Sequence, residues 1–181
     1  MKRIMLSVCG IAILAAIVFC NACKKGDTGP QGPKGTANVI YSNWVATNPW
    51  VASTTSTGSG KVTYYFDITA QTVTQSIIDS GTVLVYAKFL ADPDGGGIAK
   101  LLPSTYYNLG SANSQYHFQH GLFVSKIRII CDIIPAGTPS TSNMVRYVVI
   151  PAGQLATGRL MKPDYSKMTY SEVCSMYNIP E

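Results

Sequence analysis

Apolar and polar residues alternate with period two along two stretches of this chain. Across Lys61–Ile68, Val62, Tyr64, Phe66 and Ile68 make one face and Lys61, Thr63 and Asp67 the other. Across Leu122–Ile134, Phe123, Ile127, Ile129, Cys131 and Ile133 oppose Lys126, Arg128 and Asp132. Successive side chains of a strand point to opposite sides, so the pattern predicts half-buried antiparallel strands. Thr82–Leu90 and Met144–Pro151 are richer in apolar residues on both faces, which predicts central strands or strands covered on a second side. Val39–Val45, Ile98–Leu102 and Gln115–Gln119 are weaker strand candidates.

The period changes to that of a helix in two places. Thr72-Val73-Thr74-Gln75 offers a capping box ahead of Ile77-Ile78, with Gly81 placed to end the turn. Thr169-Tyr170-Ser171-Glu172 offers a second box. Behind it, Tyr170, Val173, Cys174 and Tyr177 form one apolar stripe, and Asn178 and Pro180 stop the helix. That stripe is expected to face inward. Seven or so strands joined by turn-rich connections predict a mainly β fold. The expected form is an antiparallel β-sandwich or open barrel with two short helices, one at the C-terminus.

Before this region the pattern is of another kind. Lys2 and Arg3 lead into an apolar run from Ile4 to Phe19, followed by Cys20-Asn21-Ala22-Cys23-Lys24-Lys25. The run is shorter than the roughly 20 residues a spanning helix needs. A charged start, an apolar middle and a small residue before a cut site predict a secretory signal over residues 1–22. Ala22-Cys23 resembles the end of a bacterial lipoprotein signal, making Cys23 the expected site of lipid (palmitate-type) attachment. The residue three before the cut is usually Leu in such signals, and here it is Cys20. Residues 23–37 then carry three Gly-X-Y triplets from Gly26 to Lys34, closed by Gly35. Glycine at every third place suits a collagen triple helix. Three triplets bury almost nothing, so a flexible spacer with polyproline character is the expectation. A single domain is expected over residues 38–181.

Charge narrows the partners. The chain holds 14 basic and 9 acidic side chains, for a formal charge of +5. Loss of Lys2 and Arg3 with the signal lowers this to about +3, a weak balance that argues against nucleic acid. The expected address is the cell envelope, anchored to the membrane through Cys23. Lys24 stands after the lipidated cysteine where retention signals would place Asp, which favours the outer membrane.

The order of features resembles small collagen-like lipoproteins of Bacteroidetes-type bacteria. The residues that carry the resemblance are Cys23-Lys24-Lys25-Gly26-Asp27-Thr28-Gly29-Pro30 and Ala37-Asn38-Val39-Ile40-Tyr41-Ser42. Later parts are Val83-Leu84-Val85-Tyr86, Leu102-Pro103, Arg146-Tyr147-Val148-Val149-Ile150-Pro151 and Tyr170-Ser171-Glu172-Val173-Cys174. The resemblance implies an envelope lipoprotein and brings no catalytic residues with it.

Candidate chemistry is sparse. Cys131 and Cys174 are candidates for a disulfide in an oxidising compartment, or for two reduced cysteines acting as small core hydrophobes. His117 and His120, three apart on a strand, point to opposite faces, which predicts surface or edge histidines rather than a shared metal site. Asp92-Pro93-Asp94-Gly95-Gly96-Gly97 looks like a calcium loop but lacks the later ligands and closing Glu of an EF-hand. A glycine-rich turn explains it with fewer assumptions, so no cofactor or metal is expected. Gly-x-Ser-x-Gly and His-Glu-x-x-His are missing, and Gly58-Ser59-Gly60-Lys61 is not a phosphate loop. Asp67 and Asp132 sit on polar strand faces with nothing in the sequence to pair them for glycoside hydrolysis.

Aromatic residues are the remaining signal. Trp50, Tyr106 and Tyr107 are the candidate binding residues, because exposed rings on loops stack on sugars or proteins. The competing reading is that Trp44 and Trp50 plug one end of the core. The expected function is a non-catalytic binding module for glycan or protein. The alternatives are a structural, self-associating envelope component and an enzyme with an unrecognised site.

Overall fold

A computed structural model describes residues 38–55, 58, 60–109, 112–152 and 163–181. The expected signal over residues 1–22, the expected lipid site Cys23 and the expected spacer to residue 37 lie outside the described residues. Among the described residues, ten strands form two antiparallel five-stranded sheets. In sheet I, β10 (Met144–Ile150) lies between β5 (Thr82–Lys88) and the short pair β1 (Ile40–Tyr41) and β2 (Val45–Ala46), with β6 (Ala99–Leu101) at the other edge. Sheet II runs β3 (Val51–Ala52), β4 (Val62–Thr69), β9 (Lys126–Ile134), β8 (Gln115–Phe123), β7 (Ser104–Tyr107). The chain crosses between the sheets from β2 to β3, back from β4 to β5, over again from β6 to β7 and back from β9 to β10. The sheets pack face to face as a sandwich and do not close into a barrel.

Period two explains the packing. Ile68 of β4, Phe118 of β8, and Ile127, Ile129, Cys131 and Ile133 of β9 meet Val85, Ala87, Val145 and Val149 of sheet I in one buried cluster. Val62, Tyr64 and Phe66 complete the inward row of β4, as the alternation predicts. Full burial of an aliphatic side chain of this kind stabilises by about 1.5–3 kcal/mol, so this cluster dominates the fold.

Sheet I is covered on its second face as well, which accounts for its doubly apolar strands. Leu84 and Tyr86 of β5 and Val148 and Ile150 of β10 form another cluster with Val173, Cys174 and Ile179. Those last residues come from helix α2 (Tyr170–Tyr177) and the segment after it. Thr169 and Glu172 make the reciprocal capping box, and Asn178 ends the helix in the left-handed conformation. Arg146 ties this layer down. Its side chain is buried, with Nε donating to Ser42 O at 2.8 Å and Nη1 donating to Pro180 O at 2.6 Å and to Tyr170 Oη.

Four expectations are corrected. Leu122–Ile134 is not one strand but the hairpin of β8 and β9, turning at Val124-Ser125. Phe123 consequently faces outward at 46% exposure, beside Lys126. The turn carries no glycine signal. It is held from outside, by Ser125 N donating to Val73 O at 2.8 Å and Ala70 N donating to Ser125 O at 2.9 Å. Helix α1 (Gln75–Ser80) is capped by Thr74 rather than Thr72, and Gly81 ends it. Val39–Val45 holds two short strands, and β3 and β7 are additions too short for a periodic pattern.

Candidate ligand-binding site at the β6–β7 edge

The loop between β5 and β6 builds the first wall. Asp92 Oδ1 accepts from Asp94 N at 2.9 Å, a turn made by the aspartate on its own backbone. Gly97 takes a left-handed φ of +83°, and a Cβ on Gly96 would meet Leu90 O at 2.9 Å. The glycines are therefore needed for the turn itself. The cation in this loop is the protein's own. Lys100 Nζ sits 2.8 Å from Asp92 Oδ1 and 2.5 Å from Asp94 Oδ2. Among the described residues, no group of three or more His, Cys, Asp or Glu is placed to hold a metal ion.

Strand β7 builds the second wall and separates the two adjacent tyrosines. Tyr106 turns inward, is 5% exposed, and packs edge-on against Phe89 at 4.8 Å. Its hydroxyl donates to Asp92 Oδ2 at 2.9 Å. Burial and the bond to Asp92 push the Tyr106 hydroxyl pKa up. Burial would raise Asp92 too, but Lys100, Asp94 N and Tyr106 outweigh it and hold the carboxyl below its ordinary range. Tyr107 turns outward and is 71% exposed. Together with Asp94, Lys100, Ser104 and Thr105, it lines an open cavity of about 410 Å³.

The three aromatic candidates are thus not brought together on one surface. Tyr106 is a core residue. Trp50 is half-buried, packed on Phe66 and Phe118 at 6.2 and 6.4 Å between ring centres, with Nε1 donating to Ser140 O at 3.0 Å. It packs on the core between the sheets, as the competing reading had it, whereas Trp44 packs in the separate cluster beneath α2. Tyr107 alone presents a free ring. Alternation along β7 forces this split of neighbours, and β7, like β3, was a strand that the sequence did not announce. The same missed strand hid Thr105, and the pairing of Lys100 with the aspartates carries no sequence signal.

Of the cavity residues, Thr105 also belongs to a polar row on the outer face of sheet II. Thr105, His117, Asp132 and Thr63 stand in register across four strands. Thr105 Oγ1 and His117 Nδ1 are 2.8 Å apart, a contact that suggests a nucleophile and its base. Asp132, however, does not orient the imidazole. Its oxygens accept from Thr63 Oγ1 at 2.5 Å and Gln119 Nε2 at 3.2 Å, and Lys61 Nζ lies 3.1 Å away. Asp67 is likewise engaged, by a two-pronged contact from Arg128 at 2.7 Å and by Lys126 at 3.1 Å. The bond from Arg128 is the chief reason its pKa lies low. His120 points to the opposite face from His117, as expected, but it is half-buried there with its Nδ1 enclosed rather than lying at the surface, and burial lowers its pKa.

Cys131 and Cys174 are both free and buried, so the disulfide alternative is corrected. Cys131 lies in the cluster between the sheets and Cys174 in the cluster beneath α2. Sheet I stands between the two clusters. No protein-family model, curated protein or solved structure matches this chain.

Proposed function

We propose that this is a lipid-anchored cell-envelope protein whose β-sandwich binds a glycan or protein at the β6–β7 edge without catalysing a reaction. The observation that carries the binding reading is Tyr107, an exposed ring on a rigid strand beside an open polar cavity. A large aromatic left in solvent next to hydrogen-bonding groups is a recognisable contact surface. The anchoring reading rests on Ala22-Cys23 after the apolar run, with the outer membrane favoured by Lys24. The non-catalytic reading is supported by the acids. Asp67, Asp92 and Asp132 are each held ionised by partners, whereas acid catalysis needs a carboxyl raised toward neutrality.

Two measurements test this. Palmitate labelling of the full chain should be lost in Cys23→Ala, and labelling that survives would remove the anchor from Cys23. Purified envelope material should sediment the wild type and retain Tyr107→Ala more weakly. Equal retention of the two would remove the binding site from this edge.

A further inference from the structure

The lining of the cavity is specific about ligand chemistry. Lys100 has three N–H donors, and two of them are taken by Asp92 Oδ1 and Asp94 Oδ2. A third remains. Asp94, whose side chain is 71% exposed, spends Oδ2 on Lys100 and keeps Oδ1 open. One donor and one acceptor therefore stand side by side at the rim, beside the free ring of Tyr107. Asp92 is fully buried beneath them and fixes the Lys100 head. The pair is built into the fold and does not have to be ordered by the ligand.

We infer that this cavity takes a neutral pyranose, presented by a glycan, with adjacent hydroxyls on the Lys100–Asp94 pair and a C–H face on Tyr107. This deepens the binding reading above and rests on it. A vicinal diol matches the site because each hydroxyl both donates and accepts. One accepts from Lys100 Nζ while its neighbour donates to Asp94 Oδ1. The apolar face of the sugar ring covers the Tyr107 ring, which is otherwise left in water. Charge selects against acidic sugars. Two carboxylates, Asp94 on the rim and Asp92 buried beneath it, stand against the one ammonium of Lys100, so this three-residue cluster carries a net negative charge that repels a uronate or sulfate.

Gluco-, manno- and xylo-oligosaccharides as neutral probes, and oligogalacturonate as an acidic one, test this by calorimetry with the full chain in detergent. At least one neutral probe should bind, and oligogalacturonate should not. Tyr107→Ala should weaken that binding about tenfold. Asp94→Asn should weaken it by a similar factor while removing the discrimination against oligogalacturonate. Both side chains are exposed, so both variants should fold as the wild type does. Neutral binding that ignores both substitutions would overturn the site. Binding of oligogalacturonate alone would overturn the ligand class. If no probe binds but envelope material still sediments the chain in a Tyr107-dependent way, the pyranose assignment fails and the binding reading survives. If that sedimentation is absent too, both fail.

Discussion

Lys100 Nζ lies 2.8 Å from Oδ1 of Asp92, a carboxylate with no exposed side-chain surface. The contact seals the open edge between β6 and β7, where Tyr106 reaches the same carboxylate from inside the core. A buried charge is tolerated only when it is paired and hydrogen-bonded, and Asp92 has three donors.

Asp92→Ala is therefore expected to destabilise the protein by about 3 kcal/mol, read by urea denaturation at pH 7. It strands the Tyr106 hydroxyl and leaves Lys100 with Asp94 alone. The pH dependence has a definite sign. Because the folded protein holds Asp92 below its ordinary pKa of 3.8, the stabilisation is complete above that value. It is lost as pH falls below 3.8 toward the folded pKa. The wild type should lose thermal stability across that acid window, and Asp92→Ala should lose less. An identical acid slope in both proteins would show that Asp92 is not the source.

Tyr86 offers the opposite case. Its hydroxyl is buried beneath α2 and finds no hydrogen-bond partner among the described residues. An unsatisfied buried hydroxyl is costly, so Tyr86→Phe should stabilise the protein by about 1 kcal/mol at pH 7. Burial also pushes the Tyr86 pKa up to about 12. A raised folded pKa means its contribution is full below pH 10 and is lost as pH climbs from 10 toward 12. Thermal unfolding across that alkaline window should fall more gently for Tyr86→Phe. A destabilised variant at neutral pH would mean that the hydroxyl has a partner in solution.

Cys131 and Cys174 should behave as separated thiols. Alkylation of the native protein without reductant, followed by peptide mapping, should leave both unlabelled. Burial raises the Cys131 pKa, which removes the reactive thiolate as well as the access. Denaturation without reductant should expose both to labelling. A linked peptide containing the two would contradict their placement on opposite sides of sheet I.

Much of the fold was legible because one face of each long strand had to be buried. Val62, Tyr64, Phe66 and Ile68 announced β4, and the doubly apolar β5 and β10 announced a sheet covered twice. The C-terminal helix was legible from Thr169, Glu172 and Asn178, since caps satisfy local backbone groups with local side chains. Local rules failed where the partners were distant. The Val124-Ser125 turn is held by Val73 and Ala70, so alternation ran straight through it and put Phe123 on the wrong face. The capping box from Thr72 to Gln75 pointed to Thr72 as the helix start, and only the folded backbone chose Thr74.

The candidate site was less legible than the fold. Trp50, Tyr106 and Tyr107 are the same kind of residue in sequence, yet one closes the core, one joins it and one meets solvent. Composition and period determined that the described residues make a mainly β fold, which long strands line its core and how its last helix lies. The tertiary structure alone decided that Lys100 would supply the cation of an aspartate-rich loop, that the two cysteines would be separated by a sheet, and that Tyr107 would stand free beside a cavity. The physical reason is range. Periodicity and capping act over a few residues, whereas these outcomes depend on which strand edges meet when two sheets pack.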